Sequence, residues 1–217
     1  MSIETFEKLP EEKRELIVST GIREFSSRSY REASTDEITR ASGISKGILF
    51  HYFGSKKNFY LYCLEIALRR LTADDARESG DSGDFYGIIF GEMKRKISLC
   101  RDRMDETLMV NMASRDPSGE ISEERDGLVM KYTADVRRRS LATVTRAVSA
   151  LPLKEPGKKE LVTEGVYLYV SAVVNRYLSI YRQDPGGFFE NADSVEKQIK
   201  EYLGLMLEGI CSEREEK

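Results

Sequence analysis

Residues 34–57 read STDEITRASGISKGILFHYFGSKK, and the spacing predicts two short helices joined by a tight turn. Ser34 with Glu37 three residues on is the capping-box arrangement, in which each side chain satisfies the other's free backbone N–H. Thr35 and Asp36 fall in the first turn, while Ile38 and Ala41 give the helix an inward face. Gly43 stands where the chain must turn through a conformation that only glycine adopts without steric cost, and Ile44 plugs the turn. Ser45 caps the second helix, so that Lys46, Gly47 and Ile48 form its exposed first turn. Free N–H groups and the positive end of the helix dipole favour an anion there. That is the end a recognition helix presents to DNA.

Between Glu37 and Lys57 lie four basic residues (Arg40, Lys46, Lys56, Lys57) and no acidic one, in a chain of net charge −3. His51, Tyr52 and Ser55 add polar groups able to bond phosphate oxygens. The pattern is that of a basic reading head on an acidic body.

The run GISKGILFHYFGSKKNFYLYCLEIAL resembles the DNA-binding end of the TetR family of bacterial and archaeal transcriptional regulators, with glycines, caps and aromatics in register over about residues 8 to 70. The resemblance implies that Ser34, Thr35, Tyr52 and Lys56 belong to the surface that grips the DNA backbone. It places Ser45, Lys46, Gly47 and His51 on or beside the base-reading surface. Phe50 departs from the family's usual tyrosine and lacks the hydroxyl that holds a phosphate. Thr39 and Ser42 replace common alanines, which implies slightly different packing within the motif.

The chain has 217 residues, five prolines and no tryptophan, enough length for a genuine core and long stretches free of helix breakers. The expected fold is all-α, with an N-terminal helix-turn-helix domain over 1–71 and a larger helical ligand-binding and dimerisation domain over 72–217. The boundary rests on TADDARESGDSGD at 72–84, dense in Asp, Ser and Gly. Cys63, Cys100 and Cys211 show no C-x-x-C spacing, Met1 is followed by polar sequence, and no apolar run approaches the ~20 residues that cross a bilayer. These features read as reduced thiols in a cytoplasmic protein with no membrane partner.

Helical spacing predicts elements at about 11–26 and 56–71, two between 85 and 112, and long helices at about 122–151, 159–182 and 194–211. Tyr30 is read as packed beneath the motif, and Arg137, Arg138 and Arg139 as a solvated face or salt-bridge partners. The helix at 159–182 is apolar over about half its circumference, wider than the ~100° of a helix packed on one side. With the last helix it suggests a four-helix interface with a second copy, for which Tyr167, Val170, Val174, Leu178, Leu203 and Met206 are the candidates. The tail SEREEK is too polar to pack.

His51 is the sole histidine; it has no histidine partners for a metal and belongs to the reading helix, so neither metal binding nor catalysis is expected of it. No phosphate-cradling glycine loop or H-E-x-x-H is present, and no cofactor is expected. Asp102, Asp105 and Glu106 are read as a solvated helix end rather than an acid/base set, so the chain is not expected to be an enzyme. A helical enzyme or protein adaptor with a vestigial DNA motif is the alternative. The preferred reading is a homodimeric regulator of double-stranded DNA, a repressor released from a palindromic operator by a small-molecule effector. The resemblance implies the effector, and Met109, Met112, Tyr132, Tyr169, Arg176 and Tyr177 are its candidate lining.

Overall fold

The computed structural model describes residues 3–73, 83–180 and 184–211. The elements are α1 (Ile3–Glu7), α2 (Glu11–Ser27), α3 (Thr35–Ser42), α4 (Lys46–Phe53), α5 (Lys56–Ala73), α6 (Phe85–Asp102), α7 (Met104–Ala113), α8 (Gly119–Ser149), α9 (Lys159–Ile180), α10 (Pro185–Glu190) and α11 (Ala192–Ile210). The fold is all-α; among the described residues the sole β feature is an isolated bridge between Leu153 and Cys211. No described helix is long and apolar enough to cross a membrane.

Two local starts differ from expectation. Helix α8 begins at Gly119 rather than Ser122, because Asp116 Oδ1 accepts the Ser118 N–H at 2.9 Å and the Ile121 N–H donates to the Ser118 carbonyl. Helix α10 lies between the helices expected at 159–182 and 194–211, where none was predicted: Asp184 caps it by accepting the Gly187 N–H at 3.2 Å, and Pro185 takes the first helical position, where its missing N–H is no loss. The expected end of α9 at Arg182 and the SEREEK tail lie outside the described residues.

The chain divides into two compact units that are not consecutive in sequence. Among described residues, unit 1 is 3–73 with 100–134, and unit 2 is 83–99, 135–180 and 184–211. The expected division at 71/72 is therefore corrected: 100–134 belongs with the head, because α7 packs on both α2 and α5 and puts Met109 and Ala113 into the same core as Ile22, Phe25, Leu49 and Phe59. Part of the stretch that suggested the boundary, 74–82, lies outside the described residues.

In unit 1, Phe6 of α1 packs edge-on or tilted against Tyr52, Phe53 and Tyr62 with ring centroids 4.9–5.6 Å apart, fixing the lead-in helix on α4 and α5. Helices α2 and α5 touch at Gly21, where a β-carbon would lie 2.6 Å from Phe59 Cζ and 2.8 Å from Cys63 Sγ. Arg70 of α5 bonds Glu106 of α7 at 2.9 Å and also pairs with Glu15 of α2. In unit 2 the core joins Phe85, Ile88 and Ile89 of α6, Val144 and Val148 of α8, Val166 of α9 and Val195, Ile199 and Leu203 of α11. All three cysteines are free thiols, Cys63 fully buried.

Candidate nucleic-acid interface

The turn between α3 and α4 forms as its residues dictate. Gly43 adopts φ +66°, its N–H closing back on α3, and Ile44 is buried beneath it. Ser45 Oγ accepts the Ile48 N–H at 3.2 Å, capping α4. The earlier N–H groups of the helix have no partner within it. Leu49 and Phe53 bury one face of α4, while Ser45, Lys46, Gly47, Ile48 and His51 stand exposed on the other. Ile48, which sequence reading placed in this turn without giving it a role, is 41 % exposed. An aliphatic group there can meet a thymine methyl in the major groove.

The capping box is only half made. Ser34 Oγ accepts the Glu37 N–H at 3.3 Å, but the Ser34 N–H donates to Glu24 Oε1 of α2 at 2.8 Å, and Glu37 turns to Arg40. Thr35 is buried at 8 % exposure and serves the packing of α3. Tyr52 is half-buried against the Phe6 cluster, its ring 5.8 Å from that of exposed His51.

The basic window carries internal partners. Lys46 Nζ lies 3.0 Å from Asp36, both exposed. Lys57 pairs with Glu124 of α8 at 2.6 Å. Lys56 bonds the Arg31 carbonyl at 3.2 Å and lies over the Tyr30 ring at 5.0 Å. Burial lowers the Lys56 pKa, opposed by the charges of Glu120, Glu24 and Asp116.

Tyr30 is buried beneath the motif, as its sequence setting suggested. Its hydroxyl donates to Glu120 at 2.7 Å and its N–H to Asp116 at 2.5 Å. Burial, then the bond to Glu120, raises its phenol well above the ordinary value. Burial pushes the Asp116 carboxyl up, but hydrogen bonds from Ser118 and the Tyr30 N–H outweigh it and leave the pKa lowered. A carboxylate whose folded pKa is depressed stabilises the fold above its unfolded pKa of 3.8 and loses that contribution as pH falls through the folded value. Asp116→Asn is therefore expected to cost about 1–3 kcal/mol at pH 7. Urea unfolding at pH 6 and pH 3 should show a smaller acid loss for the variant than for the natural chain.

Residues 17–63 match the model of the bacterial regulatory proteins of the tetR family. That match spans α3 and α4 with parts of α2 and α5. No curated protein matches it. Among solved structures it is similar to a TetR family transcriptional regulator from Chloroflexus aurantiacus J-10-FL, at 20% identity over 97% of this chain and 98% of that one with TM-score 0.55. It is also similar to a tetR-family regulator from Streptomyces coelicolor, at 21% identity over 91% and 82% with TM-score 0.62. A regulator from Saccharomonospora viridis solved with choline aligns at 16% identity over 94% and 100% with TM-score 0.59. The TetR fold thus extends over nearly the whole chain.

The six residues read as effector lining are not brought together within either unit. Met109 is fully buried in the core of unit 1, with Tyr132 packed against it and Met112 half-buried. Tyr169 and Tyr177 belong to the edge of the unit 2 core, and Arg176 is exposed. None of them lines the cavity of about 560 Å³ in unit 2, whose walls include Phe85, Tyr86, Leu151, Lys154, Leu207 and Cys211. A cleft of about 390 Å³ in unit 1 is walled by Glu7, Arg14, Tyr62 and Arg69 among others. Sequence reading missed both, because each is assembled from segments far apart in the chain.

The candidate dimer residues also sort differently. Leu203 is fully buried in its own core, and Tyr167, Val170, Val174 and Met206 pack against that core; the side chain of Leu178 lies outside what is described. The large apolar side chains left exposed on these two helices, among the described residues, are Leu161 (65 %), Leu168 (56 %) and Ile180 (60 %) on α9 and Tyr202 (52 %) and Leu205 (66 %) on α11. Arg138 pairs with Asp135, in keeping with the salt-bridge reading of that run, while Arg137 lies over the Tyr167 ring instead.

Proposed function

We propose that this chain is a DNA-binding transcriptional regulator that acts as a homodimer on a near-palindromic operator, with unit 1 carrying its reading head and unit 2 as its regulatory and dimerising body. One observation carries the reading: the capped amino end of α4, with Ser45, Lys46, Gly47, Ile48 and His51 exposed together. These groups combine phosphate-binding N–H groups, one cation, one imidazole and one aliphatic tip, with Asp36 as the carboxylate that pairs with Lys46 in the free protein. Ser34, Tyr52 and Lys56 support the backbone grip; in the buried Thr35 that role falls to the helix end rather than to an exposed hydroxyl.

The dimer surface we assign is the exposed stripe of Leu161, Leu168, Tyr202 and Leu205 rather than the inward residues first considered. Two reading heads spaced by about one turn of DNA, ~34 Å or a multiple, then match a two-fold site. Repression relieved by a small molecule is the regulatory reading, with the unit 2 cavity as the effector site; its volume is within the range of about 300–1,000 Å³ usual for such ligands. The Saccharomonospora viridis transcriptional regulator of similar fold, solved in complex with choline, supports a fold that admits small molecules.

The test is fluorescence anisotropy of the purified chain against DNA from upstream of its own gene, at two salt concentrations and beside a scrambled duplex. Selective, salt-sensitive binding by two chains per site is expected. Equal and weak binding to both duplexes would count against the reading. Small molecules added to the complex then report release.

Gly47 sharpens the test. A β-carbon there meets nothing closer than Ser45 Oγ at 3.9 Å, so Gly47→Ala is tolerated by the free protein and gains up to about 1 kcal/mol of helix propensity. On DNA the same methyl occupies the groove-facing surface. A raised Tm with weakened operator binding is the expected pair of results, and unchanged binding would remove Gly47 from the interface.

A further inference from the structure

We infer that Lys57 is a DNA-backbone contact held in reserve by Glu124, so that the first turns of α8 compete with DNA for the amino end of α5; this rests on the DNA-binding reading above. Lys56 and Lys57 are the first two residues of α5, behind the cap at Ser55, whose Oγ accepts the Asn58 N–H at 3.1 Å. A helix start bearing two lysines favours an anion through both its N–H groups and its charges. In the free protein that anion comes from α8. Glu124 Oε1 lies 2.6 Å from Lys57 Nζ. One turn earlier on α8, Glu120 accepts the hydroxyl of Tyr30, over whose ring Lys56 lies. Residues four apart share a helix face, so Glu120 and Glu124 address the two lysines as a pair, one directly and one through the tyrosine.

The two contacts differ in how readily they yield. Tyr30 is buried and also tied through its N–H to Asp116, so the Lys56 arm is fixed. The Lys57 pair is open, with the lysine 29% and the glutamate 49% exposed. A phosphate oxygen offers Lys57 the same bond and releases a counterion from the DNA. Glu124 must let go first. The closed pair weakens DNA binding by roughly the worth of one exposed ion pair, up to about fivefold.

The experiment is a double-mutant cycle in which the natural chain, Glu124→Gln, Lys57→Ala and the double variant are titrated with operator duplex at low salt, with Glu123→Gln as a neighbouring control. Glu123 is exposed on the same turn. Glu124→Gln is expected to tighten binding about two- to fivefold in the natural background and to do nothing when Lys57 is alanine. Lys57→Ala is expected to lower the salt slope by about one unit. Equal gains in both backgrounds, an equal gain from Glu123→Gln, or no gain at all would overturn the inference, since each reports only the general removal of negative charge or no competition. In those outcomes the natural chain still binds the duplex. If the natural chain binds no duplex at either salt, the DNA-binding reading itself fails and takes the inference with it.

Discussion

Gly21→Leu is expected to unfold or nearly unfold unit 1, with a loss of at least about 3 kcal/mol and a fall in Tm on the order of 10 °C or more. Even the first carbon of the new side chain would lie 2.6–2.8 Å from Phe59 and Cys63, about 1 Å inside the ~3.5–4.0 Å of ordinary carbon contact. Neither neighbour can move aside. Phe59 and Cys63 are fully buried, and the Phe59 ring is itself held at 4.7 Å by Phe53 and at 6.1 Å by Phe25. Relief must therefore come from spreading α2 and α5, which also carry the cap at Ser34 through Glu24 and the helix start at Lys56. The loss of stability and the loss of DNA binding should appear together. Gly127→Ala in the same unit is the control: it lies in α8 with nothing within 4 Å of its new β-carbon, and should stabilise by about 0.5–1 kcal/mol. Circular dichroism melts of the two variants beside the natural chain measure both effects, and a Gly21→Leu melt like the natural one would show that the α2–α5 contact is far looser than it stands here.

What the sequence made legible was local. Gly43, the cap at Ser45 and the inward Ile38 follow from residues within four positions of one another, where backbone geometry leaves few choices, although Ala41, expected to face inward beside Ile38, is exposed while Thr39 and Ser42 are buried. What it concealed was supplied from a distance. Half of the capping box went elsewhere because Glu24, ten residues upstream, reached the Ser34 N–H first. The basic window looked unopposed because its lysines are occupied from outside it, Lys57 by Glu124 of α8 and Lys56 by Tyr30 in the turn between α2 and α3. The division into units was misplaced for the same reason: nothing in 104–113 says that this helix closes the N-terminal core. On α9 the width of the apolar sector was readable, but periodicity alone cannot say which part of a wide sector faces its own chain.

That last distinction decides the outcome for Leu168→Glu combined with Leu205→Glu, which is expected to give a folded monomer that has lost operator-specific binding by a factor of about 10²–10⁴. Both leucines are more than half exposed in the single chain, so the new carboxylates meet water in the monomer and leave the unit 2 core intact. In a dimer packed on the stripe of Leu161, Leu168, Tyr202 and Leu205, each two-fold-related copy would bury charges without partners, at a penalty of several kcal/mol per ion. Dissociation is the cheaper state. Each monomer keeps one reading head, so its weak, salt-sensitive grip on random DNA should survive while the linked second contact disappears. Leu203→Glu provides the contrast: Leu203 is fully buried among Val195, Ile199 and Val166, and its substitution should unfold unit 2 rather than divide a dimer. Sedimentation equilibrium with circular dichroism separates the two results. A double variant that still sediments as a dimer would move the interface off this stripe and leave the exposed leucines without the role assigned to them.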